Sequence, residues 1–109
     1  MTMTTHEVLV KARELIATPE NWTQQAYARA EDGFELGQGF DARACKWCAL
    51  GAIEAVTGCE IDDGIAWEAQ VVLNRFAGMA PDGFNDRHTH ADVLSLYDRA
   101  IASTQEEAR

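Results

Sequence analysis

The amino-acid sequence predicts a mainly α protein of four helices in a single domain, with a short β-hairpin between the first and second helices. Three observations predict it. Apolar residues recur at helical spacing in four separate stretches. Residues that start and stop helices bracket those stretches: Thr4, Asp41, Asp62-Asp63 and Thr89 at the starts, and Pro19, Gly58 and Gly78 at the ends. Between the first two stretches lies Asp32-Gly33, a dipeptide suited to a tight hairpin turn. A chain of 109 residues, 47% hydrophobic and 25% charged, is too apolar for a disordered segment and fits one folded domain. At this size roughly two thirds of the unfolded surface can be buried, so neither metal nor disulfide staples are required. The ordered core is expected over about residues 5–103 of a domain spanning 1–109.

Thr4 and Glu7 are spaced as a capping box, in which hydroxyl and carboxylate each bond the other's unpaired amide. Val8, Leu9, Ala12, Leu15 and Ile16 follow as one apolar face, with Glu7 and Lys11 placed for an ion pair on the other. Pro19 stops this helix at about Thr18. The hairpin is expected at roughly residues 23 to 30 and 33 to 36, because Gly37 and Gly39 oppose helix further on. A second helix is expected from about Ala42 to Thr57, N-capped by Asp41 and ended by Gly58. It is apolar on nearly every side, as a central helix would be. Its small residues Ala49, Gly51 and Ala52 permit close approach of a neighbouring backbone. The third helix starts after Asp62-Asp63, buries Ile65, Ala69, Val72, Leu73 and Phe76, and ends at Gly78. Residues 79 to 88 are expected as a loop that exposes Asn85-Asp86. The fourth helix opens on Thr89 and Asp92, another capping box, and turns Val93, Leu94, Tyr97, Ala100 and Ile101 inward. A polar tail from Thr104 to Arg109 is expected to fray.

The residue order resembles a family of small uncharacterised proteins of bacteria and their phages, a domain of unknown function. Three elements carry the resemblance: Asn21-Trp22-Thr23, Trp47-Cys48-Ala49-Leu50-Gly51-Ala52, and Phe84-Asn85-Asp86 leading to Thr89, Val93 and Leu94. It spans roughly Val8 to Ala102 and implies a shared fold without an assigned activity. Similar sequences are expected to carry an aliphatic residue at Cys45 and a Trp at Phe84. The cysteine pair is then peculiar to this chain, which counts against a function needing both.

Charge narrows the classes of function. Nine basic and eighteen acidic residues give a net charge of −9. That sign repels phosphate backbones, so direct nucleic-acid binding is not expected, while a basic protein partner would be favoured. Solubility alone would also account for it. No stretch reaches the roughly 20 apolar residues of a membrane span, and residues 1 to 6 lack the pattern of a signal peptide. A cytoplasmic location is expected. No cofactor is expected either, because no phosphate-binding glycine loop, dinucleotide fingerprint or metalloprotease helix is present.

Four constellations remain. Cys45 and Cys48 form C-x-x-C, but without the α/β context of a redox site they read as buried structural thiols. Zinc could be held on paper by Cys45, Cys48, His88 and His90, with Cys59 and His6 in reserve, although a second C-x-x-C is missing. Cys48 with His88 or His90 and Asp86 or Asn85 contains the residue types of an activated thiol, without the local signature of a cysteine hydrolase. A binding surface is the leading alternative, made of Trp67, Trp22, Asn85 and Asp86. Trp67 falls off the apolar stripe of its helix, where an exposed indole would serve as an interface anchor. The expected function is therefore a non-enzymatic protein-binding module, descended from a phage or mobile element and modulating a host protein. The alternative is a small enzyme using Cys48.

Overall fold

The computed structural model describes residues 3–105. Helix α1 (Thr5–Leu15) opens on the Thr4–Glu7 capping box, with Thr4 Oγ1 accepting the Glu7 amide at 3.1 Å and Glu7 accepting the Thr4 amide at 2.9 Å. That carboxylate serves the cap and does not close an ion pair with Lys11. The helix stops short of Thr18 because Pro19 holds the preceding residue extended, and a 3-10 turn (Pro19–Asn21) follows.

The hairpin forms with shorter strands than expected, β1 (Ala28–Arg29) and β2 (Glu35–Leu36), paired antiparallel. Gly33 takes φ +91° in the turn, and Asp32 Oδ1 accepts the Phe34 amide at 3.0 Å. A third strand, β3 (Lys46–Trp47), pairs antiparallel with the other edge of β1, giving the order β2-β1-β3. This corrects the expectation of a helix from Ala42. Asp41 caps no helix but bonds Arg43 in a local turn. The amides of Cys45 and Cys48 go to the carbonyls of Arg29 and Tyr27, and the Trp47 indole donates to the Gly39 carbonyl at 2.9 Å. These nonlocal bonds outweigh the helical spacing of the apolar residues.

Helix α2 (Ala49–Thr57) is thus shorter, N-capped by Cys48 and ended by Gly58 at φ +70°. Ala49 to Glu54 are all buried, as expected of a helix apolar on every side. Gly51 is required here: a Cβ would overlap the Tyr27 carbonyl, and one at Gly39 would overlap the backbone of Gly51. Three stretches of backbone stack through these two glycines.

Helix α3 (Gly64–Ala77) ends at Gly78 in the left-handed region, as the sequence predicts, and buries Ala66, Ala69 and Leu73. The expected loop is instead a two-turn helix, α4 (Pro81–Arg87), with Pro81 in its first turn, where its missing N–H costs nothing. Helix α5 (His90–Ser103) keeps the Thr89–Asp92 capping box and buries Val93, Leu96, Tyr97 and Ala100. Thr104 does not begin a frayed tail: it is buried, and its hydroxyl bonds the Ala100 and Ile101 carbonyls and His6. Residues 106–109, the rest of that expected tail, lie outside the described residues.

Among the described residues the fold is therefore mainly helical, five α-helices beside a small three-stranded antiparallel sheet. One apolar cluster joins all five helices, with α1 against α2, α3 and α5, and α2 against α1, α3 and α4. The Tyr97 hydroxyl ties α5 to α2 by donating to the Ala49 carbonyl at 2.5 Å. No described helix is long and apolar enough to cross a membrane.

Candidate functional site

The densest polar arrangement lies where the segment before β1, the start of α2 and helix α4 meet. Asn85, on α4, is fully buried, which corrects the expectation that it is exposed. Helix formation from Pro81 turns its side chain into the core, where every polar atom finds a partner. Its Oδ1 accepts the Trp22 indole N–H at 2.7 Å and the Ala49 amide at 3.0 Å, and its Nδ2 donates to the Thr23 carbonyl at 3.0 Å. Gln24 spans the same junction, its side-chain amide donating to the carbonyls of Asn85 and His88. Asp86, exposed on the next position, accepts the Gln25 amide at 2.7 Å, and Gln25 sits at φ +65°.

Beside this junction a cavity of about 250 Å³ opens at the surface, lined by Gln25, Ala26, Tyr27, Cys48, Asp82 and Asp86. Cys48 is only 4% exposed. As the N-cap of α2, its Sγ accepts the Gly51 amide at 3.3 Å. Burial pushes its thiol up to about 12, and the negative charges of Asp86 and Asp82 push the same way against the amides of Gly51 and Leu50. Tyr27 is likewise raised, chiefly by burial and next by Asp82. A thiol so poised stays protonated at neutral pH and is a poor nucleophile.

The other sequence-predicted residues take separate places. Cys45 and Cys59 are half-buried, and each thiol donates to a nearby carbonyl, of Arg29 and Thr57 respectively. His88 stacks on Phe84 with ring centroids 3.8 Å apart, and its Nδ1 donates to the Phe84 carbonyl at 2.9 Å. His90 donates Nε2–H to the Ile16 carbonyl at 2.6 Å and lies against Trp22. A carbonyl can only accept, so each of these ring nitrogens carries the proton. Cys45, Cys48, His88 and His90 do not converge: among the described residues no group of three or more His, Cys, Asp or Glu side chains is arranged to hold a metal ion. Trp67 stands on α3, 50% exposed, with Val71 one turn on and 38% exposed.

Tyr27, Gln25 and Asp82 were not candidates from sequence. Asp82 and Asp86 stand one turn apart on α4, a spacing visible once Pro81 is taken as the start of a helix. Nothing local marks Tyr27, which reaches the cavity through strand pairing.

Fold and site together define a small, mainly helical, acidic protein in which a hairpin is locked onto the helices through a buried asparagine. The chain belongs to the family of unknown function DUF6197, which matches it over residues 1–103. No curated protein and no solved structure matches it.

Proposed function

We propose that this protein is a non-enzymatic module that binds a basic partner protein, with Trp67 as the anchor, and that it descends from a phage or mobile element and modulates a host protein. The observation that carries the binding reading is the pair Trp67 and Val71, exposed one turn apart on α3. Large aromatics on a surface gain most from being covered, and indoles are over-represented among the residues that dominate interface energies. The acidic residues Asp62, Asp63 and Glu68 adjoin that pair in sequence and are exposed, and the chain carries −9 overall. Such a rim speeds encounter with a cationic surface and selects against an anionic one. Descent from a mobile element rests on the resemblance in sequence alone.

The test is affinity capture from a host lysate with nuclease present, run in parallel with the wild-type chain and Trp67→Ala. A basic protein enriched by the first and lost with the second is expected. A partner retained equally by both removes Trp67 as anchor, and an acidic one removes the electrostatic argument.

The alternative, an enzyme using Cys48 with His88 or His90, has one observation in its favour: Cys48 and Asp86 line the same cavity. Against it stand the raised thiol and two imidazoles that are each spending an N–H on a backbone carbonyl. Iodoacetamide is expected to reach Cys45 and Cys59 first and Cys48 only on denaturation. Rapid alkylation of Cys48 in the folded protein near pH 6 would favour the enzyme.

A further inference from the structure

We infer that the open edge of the small sheet, strand β2, is a docking site for an extended segment of another protein that carries a basic residue between two apolar ones. The inference concerns a different element from Trp67 and does not rest on it. Hydrogen-bond alternation identifies the free groups. The Ala30 amide bonds the Phe34 carbonyl at 3.0 Å, and the Arg29 carbonyl is turned the other way, accepting the Cys45 amide at 2.9 Å. Arg29 and Glu35 are opposite each other in the register. They therefore form a non-hydrogen-bonded pair, and the amide and carbonyl of Glu35 point away from β1. The flanks of this position are open: a Cβ added at Gly33 or Gly37, two residues to either side, would meet nothing within 4 Å beyond its chain neighbours. The other edge of the sheet is closed, because Trp22 bridges to Trp47 and the Thr23 amide donates to the Trp47 carbonyl at 3.1 Å.

Open edges recruit further strands unless proline, a bulge or charge blunts them. Residues 33–37 contain neither proline nor lysine, and their one charge is the Glu35 carboxylate. That charge selects the occupant. If two copies paired antiparallel about Glu35, their carboxylates would face each other, which disfavours self-association through this edge. A basic residue opposite Glu35 is favoured for the same reason, and the exposed Glu31 and Asp32 at the hairpin tip extend the negative rim. The nearby cations are engaged elsewhere. Arg29 bonds Thr23 and the carbonyls of Gln24 and Gly33 and lies 3.7 Å from Glu35, while Arg43 is held by Asp41 at 2.9 Å. Side-chain alternation sets the residues on either side of the basic one. Phe34 and Leu36 share the face opposite to Glu35, and while Leu36 is buried, Phe34 is 61% exposed. Arg43 lies over the Phe34 ring at 5.9 Å and leaves most of it bare. The residues of an added strand that lie beside Phe34 and Leu36 therefore gain by being apolar.

The test is an amide-resolved NMR titration of the full chain with the peptide acetyl-Lys-Val-Lys-Val-Lys-amide. Saturable shifts are expected at residues 33–37, with a dissociation constant on the order of 1 mM. Acetyl-Glu-Val-Glu-Val-Glu-amide is expected to produce none. Two methylated forms of the lysine peptide test the strand geometry. N-methylation of its lysines removes the N–H groups that face β2 and should abolish binding, whereas N-methylation of its valines removes those on the far edge and should change affinity by less than about twofold. Glu35→Gln keeps the amide and should weaken binding about threefold. Glu35→Pro deletes the outward N–H, which the ladder to β1 does not use, and should weaken it at least about tenfold. If that variant loses the hairpin in its own spectrum, the methylated peptides decide the question on the wild-type chain. No saturation by about 10 mM, equal binding of the acidic or the lysine-methylated peptide, or a folded Glu35→Pro that binds as the wild type does would overturn the inference. Shifts at residues 67–71 in place of 33–37 would overturn it as well, and would assign the peptide to α3. So would shifts at Glu35 and Gly37 that grow with protein concentration alone and keep the peptide out, which would make the occupant a second copy of this chain.

Discussion

At Asn85 one side-chain amide supplies partners to three polar groups, on two pieces of chain, that would otherwise be left buried and unpaired: the Trp22 indole, the Ala49 amide and the Thr23 carbonyl. Each orphaned group of this kind costs about 1–3 kcal/mol, so Asn85→Ala is expected to lose about 3 kcal/mol or more in urea unfolding. Asn85→Asp keeps the acceptor and loses the donor to Thr23, and should be destabilised as well. A loss below about 1 kcal/mol for the alanine variant would mean the network is not structural. Glu54 is a second buried polar residue, its carboxylate accepting the amides of Gly39 at 2.8 Å and Ile61 at 3.0 Å. Burial raises its pKa above the ordinary 4.5, against those two bonds. The folded state therefore binds this proton more tightly than the unfolded chain does. Its contribution to stability is greatest below pH 4.5 and is lost as pH rises through the folded value. Glu54→Gln does not titrate, so the wild-type advantage over it should shrink between pH 4 and pH 7 in paired denaturation curves. An advantage that grows over that range would reverse the sign assigned to the burial effect. None of this was legible in advance. A buried polar residue looks like any surface Asn or Glu until its partners arrive from some 60 or 15 positions away.

At the scale of elements, the sequence was most readable where the deciding bonds are local. Both capping boxes, the turn at Gly33, and the ends at Gly58 and Gly78 depend on residues within a few positions of one another, and all are present. The misreadings have two physical causes. Residues 42 to 48 have apolar residues at helical spacing, but the amides of Cys45 and Cys48 pair with the carbonyls of Arg29 and Tyr27, which no local pattern reveals. Pro81 lies within the stretch expected as a loop, residues 79 to 88, and opens a helix there. The close approach at Gly51 was legible as a small residue in an apolar helix, though not its partner. Gly51→Ala is therefore expected to destabilise by about 3 kcal/mol or more, although alanine favours an isolated helix by about 1 kcal/mol, because its Cβ would overlap the Tyr27 carbonyl. Gly37→Ala, with open space around it, should change stability by less than about 1 kcal/mol. Thermal unfolding of the pair decides this: similar melting temperatures would mean that the stacked backbones part at little cost.

For the whole molecule, the sequence conveyed the class, its acidity and an exposed Trp67, while the cavity is a product of tertiary structure. Tyr27 comes from the hairpin, Cys48 from a helix cap, and Asp82 with Asp86 from a helix where a loop was expected. A net charge of −9 makes association with a basic partner salt-sensitive, so affinity should fall as ionic strength rises from 0.05 to 0.5 M, and mostly through the association rate. Trp67 is half-exposed, and its replacement should leave the melting temperature within about 2 °C of the wild type. The most direct measurement is calorimetric titration of the captured partner into the wild-type chain and into Trp67→Ala. Binding should weaken at least about tenfold in the variant with the fold intact. Equal affinity for both proteins would contradict the account of α3 as the docking face.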